Sequence, residues 1–497
     1  MKWKKKINIF EREAMKTYAT LLSVIIFNLV FAPCFAATKS ADLTDDGQVN
    51  FEDMSIMAEQ WLSANLLTRI SINVKDYGAV GDGVTNDSAA INAAIAALPA
   101  SNAVLYFPAG VYRCGTVTIT GKTALTVCGD GWASSVIKSN AYFDALDGFG
   151  ATPGSQVINI SATCNKVLVF GLTFDASCTH RKAGQHAVVI DADNTTFRDN
   201  YTINSGEFAN CFGRDNPAGM DNLVVTGNRI GLNWADGINL YNVDNALIAN
   251  NIVNGANDDL IAVGESSNVV ISGNTLRSRT DLPSKVGRGI AILWGANNVH
   301  GTGNLIEQVK QYGLYIASEQ SGARPNNITF CGTTVCNAAI NSGSAVFVER
   351  ADNVTLLDTR VFNPAGGSCI YIADWTNLTI AGGELTQTLN QYCRGIHVAE
   401  QSGYSPVWSG LVIKDIQINL LGASTNEALY LRPHSSVTMD TVLISGITAR
   451  NAVYCDYISV DTSRCATVLK IVNNVSLSGR PISPSSSGGI VTVSNNY

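Results

Sequence analysis

Along most of the chain apolar and polar residues alternate over short runs that are broken by clusters of Asn, Gly, Ser and Asp. Alternation of period two predicts short, half-buried strands joined by turns. An Asn-led run of this kind recurs as NKVLVFGLTF from Asn165, NTTFRDNYT from Asn194, NLVVTGNRI from Asn222, NALIANNIV from Asn245 and NVVISGNTL from Asn268. It continues as NVHGTGNLI from Asn298, NITFCGTTV from Asn327, NVTLLDTRV from Asn353 and NLTIAGGEL from Asn377. The leading Asn residues lie 29, 28, 23, 23, 30, 29, 26 and 24 positions apart. A unit of that length cannot bury its apolar face alone, so the repeat predicts stacking: an all-β, parallel β-helix with Ile, Val and Leu aligned inside and Asn at left-handed turns. Crossover handedness makes it right-handed. A β-propeller would need hairpin turns and longer repeats. One segment changes period: Asn86 or Asp87 caps a helix through Ile91, Ala94 and Ile95 to Leu98, stopped by Pro99, which covers the N-terminal end of the solenoid.

Stacking the coils yields a surface. The strands DGINL, DLIAV, RGIAI, YGLYI, SAVFV, SCIYI, RGIHV and EALYL align to put Asp236, Asp259, Arg288, Tyr312, Ser344, Ser368, Arg394 and Glu427 in one column. A second, outward column holds Asn239, Ala262, Ala291, Tyr315, Phe347, Tyr371, His397 and Tyr430. With neighbouring coils ~4.8 Å apart, one face carries charges near its middle and an aromatic ladder toward the C-terminal end. Such a face suits an extended polysaccharide, and Arg288, Tyr312, Tyr315, Tyr371, Arg394 and His397 are its candidate binding residues. The competing reading is cross-strand stacking that merely stabilises the sheet.

Asp236 and the pair Asp258-Asp259 are one coil apart, 22 and 23 residues. Three carboxylates brought together repel one another, so burial and mutual charge raise one pKa enough for a general acid while the others serve as base. Carboxyl groups ~6.5 to 9.5 Å apart suit an inverting glycosidase, and ~5 to 5.5 Å a retaining one. Asp236 and Asp259 share the parity of the inward Ile residues, so this reading requires them to sit at the turn-to-strand boundary. Ordinary turn chemistry of Asp-Gly and Asn-Asp is the plain alternative.

Composition adds limits. The chain has 497 residues, 46% hydrophobic and 15% charged, with mean hydropathy +0.12 and net charge −7. Residues 2–6 are basic apart from Trp3, an apolar run follows from Tyr18 to Ala32, and Cys34-Phe35-Ala36 offers a peptidase site. Residues 1–36 are therefore read as a signal peptide, and the protein as secreted, with no membrane segment after processing. Their removal leaves a net charge of about −11, which argues against nucleic acid as partner. The 12 Cys form no metal-like pair; Cys164 with Cys178, Cys331 with Cys336 and Cys455 with Cys465 are close enough in sequence for short bridges, though free Cys also packs as a small hydrophobe. In DLTDDGQVNFED, Asp42, Thr44, Asp46, Gln48, Asn50 and Asp53 take the spacing of a calcium loop, with Gly47 at the turn. Residues 37–66 are thus a small calcium-loop module and linker, 70–480 the β-helix and 481–497 a C-terminal tail.

Several stretches carry a family resemblance. DYGAVGDGVTND, VLYFPAGVY and VCGDGWASSVIK resemble the opening of the pectate-lyase-like superfamily, which includes polygalacturonases, rhamnogalacturonases and epimerase-like proteins. ADGIN followed one coil later by NDD is more similar to the α-1,3-glucanase and mycodextranase family, as is GRGIAILWG in the next coil. That resemblance implies inverting hydrolysis with Asp236, Asp258 and Asp259 as the catalytic set and no catalytic cofactor. The Gly-His-Gly and Arg-Ile-Lys elements of polygalacturonases are missing, which points away from galacturonan. The calcium loop resembles half of a dockerin, implying a cohesin-like partner, although Thr44 departs from the pattern and a second copy is absent. The expectation is a secreted glycoside hydrolase. The alternatives are a lyase or epimerase using Arg288 or Lys285, without the Asp-Pro-His element of alginate epimerases, and a glycan-binding β-helix with no catalysis.

Overall fold

A computed structural model describes residues 69–494 apart from several short loop segments, the longest being 141–155. The signal-peptide and calcium-loop readings, with Asp42, Thr44, Asp46, Gln48, Asn50 and Asp53, lie outside the described residues, as do Lys285, Cys455 and Cys465. Ile70–Tyr497 forms one compact unit.

That unit is a right-handed parallel β-helix. Each coil contributes three strands, for example Ile238–Tyr241, Val243–Ala249 and Ile252–Ala256. These pair in parallel with Asp259–Gly264, Ser267–Ser272 and Thr275–Ser278 of the next coil. Alternation decides the inside: Ile238, Leu240, Ile261, Val263, Ile290 and Ile292 are fully or almost fully buried in one continuous core. The leading Asn residues, from Asn194 to Asn377, adopt positive φ as the repeat predicts, and the first unit is offset by one, with Lys166 rather than Asn165 in that conformation. Their amides form an exposed ladder, as from Asn298 to Asn268 at 2.7 Å and from Asn377 to Asn353 at 2.9 Å.

A second ladder runs inside. Asn200, Asn228, Asn251, Asn274 and Asn304 are at most 1% exposed. In each step the backbone N–H of one donates to the Oδ1 of the next coil's Asn, at 3.0 to 3.1 Å. The same amides donate from Nδ2 to carbonyls of the preceding coil, as Asn251 does to Val225 at 2.9 Å. Every polar atom at these buried corners is thus satisfied by the neighbouring coil. Thr333 and Thr359 take over the corner in the next two coils, where their buried Oγ1 atoms have no partner.

The N-terminal helix spans Ser88–Ala97 and buries Ile91 and Ala94, with Leu98 at its end. Its capping divides between two residues: Asn86 Oδ1 accepts from Ser88 N–H at 3.1 Å, while the Asp87 carboxylate turns back to Val80 and Gly81 N–H at 2.7 and 3.1 Å. One expectation is corrected. Residues 481–497 are not a tail, because Ser483–Ser485 and Ile490–Ser494 extend the sheet in parallel with Ile458–Asp461 and Val468–Val472. Cys164, Cys331 and Cys336 carry reduced thiols, in keeping with the reading of Cys as a small packing residue; Cys164 contacts the Lys122 N–H and the Ile119 carbonyl.

The internal ladder predicts that Asn251→Ala, which strands the Asn228 N–H and the Val225 carbonyl, destabilises the protein by about 2–4 kcal/mol. Urea denaturation checks this; a loss under about 1 kcal/mol would show that the coils do not depend on the ladder.

Candidate active site

The strand register reproduces both columns. Asp259 pairs with Arg288, Arg288 with Tyr312, and Ser368 with Arg394. Outward, Asn239, Ala262, Ala291, Tyr315, Phe347, Tyr371, His397 and Tyr430 follow one another without a break.

The parity problem resolves at the strand ends. Asp236 precedes the strand Ile238–Tyr241, and Asp259 is the first residue of its own strand, so neither obeys the inward alternation. Gly237 makes this approach feasible, since a Cβ there would come within 2.6 Å of the Leu260 carbonyl oxygen. Asp236 accepts from Asn239 Nδ2 at 2.8 Å and from the Asp259 backbone N–H at 3.1 Å. One oxygen from each of Asp236, Asp258 and Asp259 lies within 4.8 Å of the other two. Asp236 and Asp259 are 5% and 3% exposed. The Asp258 side chain is 23% exposed, its Oδ2 lies 3.9 Å from Arg181, and its Oδ1 has no hydrogen-bond partner.

Arg288 closes the cluster. Its Nε and one terminal nitrogen grip both Asp259 oxygens, the second contact at 2.8 Å, and its other terminal nitrogen pairs with Glu319. The guanidinium lies 4.6 Å from the centre of the Tyr315 ring. Three carboxylates at this spacing are also a cation-sized set. The guanidinium already occupies both oxygens of Asp259, so the protein supplies the positive charge itself.

Burial raises all three carboxyl groups. Asp259 is pushed up to about 7 by burial, against the opposing pull of Arg288. Asp236 is raised well above the usual range, by burial first and then by the charges of Asp259 and Asp258. Asp258 is raised by burial, with Arg288 and Arg181 opposing. Burial works against the charge of Arg288 as well, but Asp259 and Glu319 outweigh it and keep the guanidinium protonated. Burial and mutual charge thus favour protonation across the coupled set rather than at one residue alone.

The aromatic candidates are placed along the groove but differ from open sugar platforms. Tyr315 and Phe347 are 8% and 7% exposed, and their rings stack on each other at 5.2 Å. Tyr312 stacks on Tyr315 at 5.0 Å, and Tyr371 lies parallel to Phe347, also at 5.0 Å. The faces expected to meet sugar are thus spent on neighbours, which corrects the reading of Tyr315 as a binding platform. His397 stands edge-on between Tyr371 and Tyr430, and burial with the charge of Arg394 lowers its pKa to about 4, so it is neutral at pH 7. Arg394 pairs with Glu427 at 2.9 Å and sits over the Tyr430 ring.

Four residues at the site carried no assigned role in the sequence reading: Asn239, Arg181, Glu319 and Trp234. Asn239 was legible as an outward position beside Asp236. Arg181 and Glu319 come from loops, where no periodicity marks them. Trp234, beneath the Arg279 guanidinium at 4.8 Å, precedes Asp236 by two residues.

Fold and site together define a parallel β-helix with a buried carboxylate cluster opening on one face. Residues 71–291 match the family profile described as rhamnogalacturonase A/epimerase, pectate lyase-like. The chain is 37% identical over 115 residues to a mannuronan C5-epimerase of Azotobacter vinelandii, a match that spans 19% of this chain and 12% of that protein. Among solved structures, it is similar to the A-module of a second Azotobacter vinelandii mannuronan C-5 epimerase, with TM-score 0.48 and 19% identity, over 72% of this chain and 99% of the other. It is also similar to the catalytic unit of an α-1,3-glucanase from Streptomyces thermodiastaticus, with TM-score 0.39 and 18% identity, over 86% of this chain and 68% of the other.

The raised pKa of Asp236 has a sign that can be checked. A carboxyl group held above its unfolded value, ~3.9, gives its full stabilisation below that value and loses it as the pH rises toward the folded pKa. Asp236→Asn keeps the shape without the charge, so its melting temperature should exceed that of the wild type by about 2 °C or more at pH 7–8, the gain shrinking toward pH 4. A difference that does not change with pH would overturn the raised pKa.

Proposed function

We propose that the protein is a polysaccharide-active enzyme that hydrolyses glycosidic bonds in a neutral glycan, using Asp236, Asp258 and Asp259. The observation that carries this is the cluster itself: three carboxyl groups from two successive coils, one oxygen of each within 4.8 Å of the other two, with Asp258 the most exposed.

The roles follow from access. Asp258 is the most exposed of the three, which suits it to give a proton to the glycosidic oxygen. Asp259, whose ionised form the Arg288 fork favours, takes the proton of the attacking water, with Asp236 packed behind it. The cluster is tighter than the spacing usual for inversion, and by distance alone would read as retaining. Inversion is nevertheless the better reading. Both oxygens of Asp259 are held by Arg288, and those of Asp236 by Asn239 and the Asp259 N–H. Buried oxygens so engaged are poor nucleophiles toward carbon, yet their remaining lone pairs can orient a water.

Charge supports a neutral substrate. Asp236, Asp258, Asp259 and Glu319 face Arg288 and Arg181, and both cations already have carboxylate partners. A polyuronate would bring further negative charge to an acidic floor. The sequence likeness to mannuronan epimerases favours the second reading, β-elimination or epimerisation of a uronate. Export by residues 1–36 and calcium held at residues 42–53 belong to the same proposal, and place the enzyme where its polymer is.

The test uses the purified protein on α-1,3-glucan, nigeran, polygalacturonate and alginate. New reducing ends from a neutral glucan, with the first-formed anomer inverted by proton NMR, are expected. Asp258→Asn should lower that rate by about 10²–10⁴-fold while leaving the fold intact. Ultraviolet absorbance of an unsaturated product, or uronate epimerisation without cleavage, would establish the second reading instead.

A further inference from the structure

We propose that Glu319 is a positioning residue that holds Arg288 in its fork on Asp259 and keeps that guanidinium away from the groove. The proposal rests on the reading of Asp236, Asp258 and Asp259 as the reactive groups, and extends it to a residue outside the strands and outside the repeat.

The geometry is a chain of graded exposure. The Asp259 side chain is 4% exposed, Arg288 11% and Glu319 32%. Glu319 follows the strand Tyr312–Ala317 by two residues, and its own carbonyl accepts from the Gly322 N–H at 3.2 Å, while Ser318 Oγ donates to the Gly322 carbonyl at 2.5 Å. The Glu319 carboxylate pairs with the terminal nitrogen of Arg288 that Asp259 leaves unused. Each side of Arg288 is then occupied: one edge by Asp259, the end by Glu319 and one face by Tyr315. A planar guanidinium gripped on its edge, end and face has no rotation left. Without Glu319 the outer nitrogen is released toward the groove, and the undivided positive charge acts on the acidic pair.

Other charges face the group from every side and set the background. Asp259 opens the strand beneath Arg288 and Asp258 immediately precedes it, Asp236 comes from the coil before that, and Arg181 from the loop before Val188–Ile190. Tyr312 and Tyr315 belong to the next coil, and Glu349 to the one after, where it acts on both phenols. Of these, Glu319 is the one that acts on the cluster through Arg288 from the solvent side. Its negative charge raises the carboxyl groups of both Asp258 and Asp259.

Glu319→Gln removes the charge and keeps the shape, and Glu319→Ala removes both. In each, the pH at which the acid loses its proton should fall by about one unit, moving the basic limb of kcat/KM against pH toward acid. A readout that needs no activity runs beside it. The raised carboxyl groups cost stability as the pH climbs from ~4 to ~7, and the variants lower that cost. The difference in melting temperature, variant minus wild type, should therefore rise by about 1–2 °C between pH 5 and pH 8. A constant offset across that range, with an unshifted limb, would make Glu319 a merely structural partner and overturn the proposal. Were no glycan hydrolysed at all, the functional reading would fail alone, and the melting profiles would still decide the role of Glu319.

Discussion

The spacing of successive coils is the constraint on which everything else in this protein depends. Parallel ladders hold neighbouring strands ~4.8 Å apart, and the buried Asn200–Asn304 series fixes the same interval at the corner, where backbone groups would otherwise lie unpaired. Any outward side chain then has its register partner at contact distance. The same geometry packs Ile on Ile inside, puts Asp236 against Asp259 and Asp259 against Arg288 at the strand ends, and stacks the rings of Tyr315, Phe347 and Tyr371 outside. No separate device is needed to assemble the acidic cluster; a one-residue slip of register would dissolve it.

The means of holding the coils changes along the molecule. The internal amide ladder runs to Asn304, and in the following two coils Thr333 and Thr359 fill its place with unsatisfied hydroxyls. Those are the coils in which the external aromatic stack begins, with Tyr312 and Tyr315 followed by Phe347 and Tyr371. Stacked aromatic pairs contribute ~0.5–1.5 kcal/mol each beyond their buried area, comparable with a hydrogen bond of the ladder at ~0.5–1.5 kcal/mol. The stack thus takes over a structural duty on the outside when the inside ladder lapses, which explains why its central rings are covered.

The fold was legible because a repeat announces itself many times over. The Asn-led runs set the coil length, the alternation set the inward column, and alignment of the strand ends set a register that matches the pairing residue for residue. Two features of the fold were not. The second Asn of each repeat reads as one more turn residue, since nothing in the sequence distinguishes an exposed amide from a buried one that bridges coils. Residues 481–497, rich in Ser and Gly, mask two strands whose apolar content is low. At the site, Asp236, Asp258, Asp259 and Arg288 were legible by register, whereas Arg181 and Glu319 enter from loops whose course no periodicity predicts. The solvent-facing role of Tyr315 was overestimated because a column of aromatic residues looks the same in sequence whether its faces meet a ligand or each other.

The repeat also builds one arrangement twice, and the copies differ in how much acid surrounds the arginine. Arg288 and Arg394 occupy the same column, and each leans along the axis onto the ring of the next coil, Tyr315 at 4.6 Å and Tyr430 at 4.4 Å. Arg394 meets a single carboxylate, Glu427, half-buried like itself, and the pair is balanced one to one. Such a pair adds little and needs nothing further. Arg288 meets Asp259 and Glu319 at once, with Asp236 and Asp258 packed behind, so one buried cation answers several acids. Taking unbalanced carboxyl groups out of water is costly, and they respond by holding protons. A scaffold that can place a neutral pair in this column does so at Arg394, whereas at Arg288 it packs Asp236, Asp258 and Asp259 together. A cost that is local, avoidable and aimed at the groove is the physical signature of a reactive site.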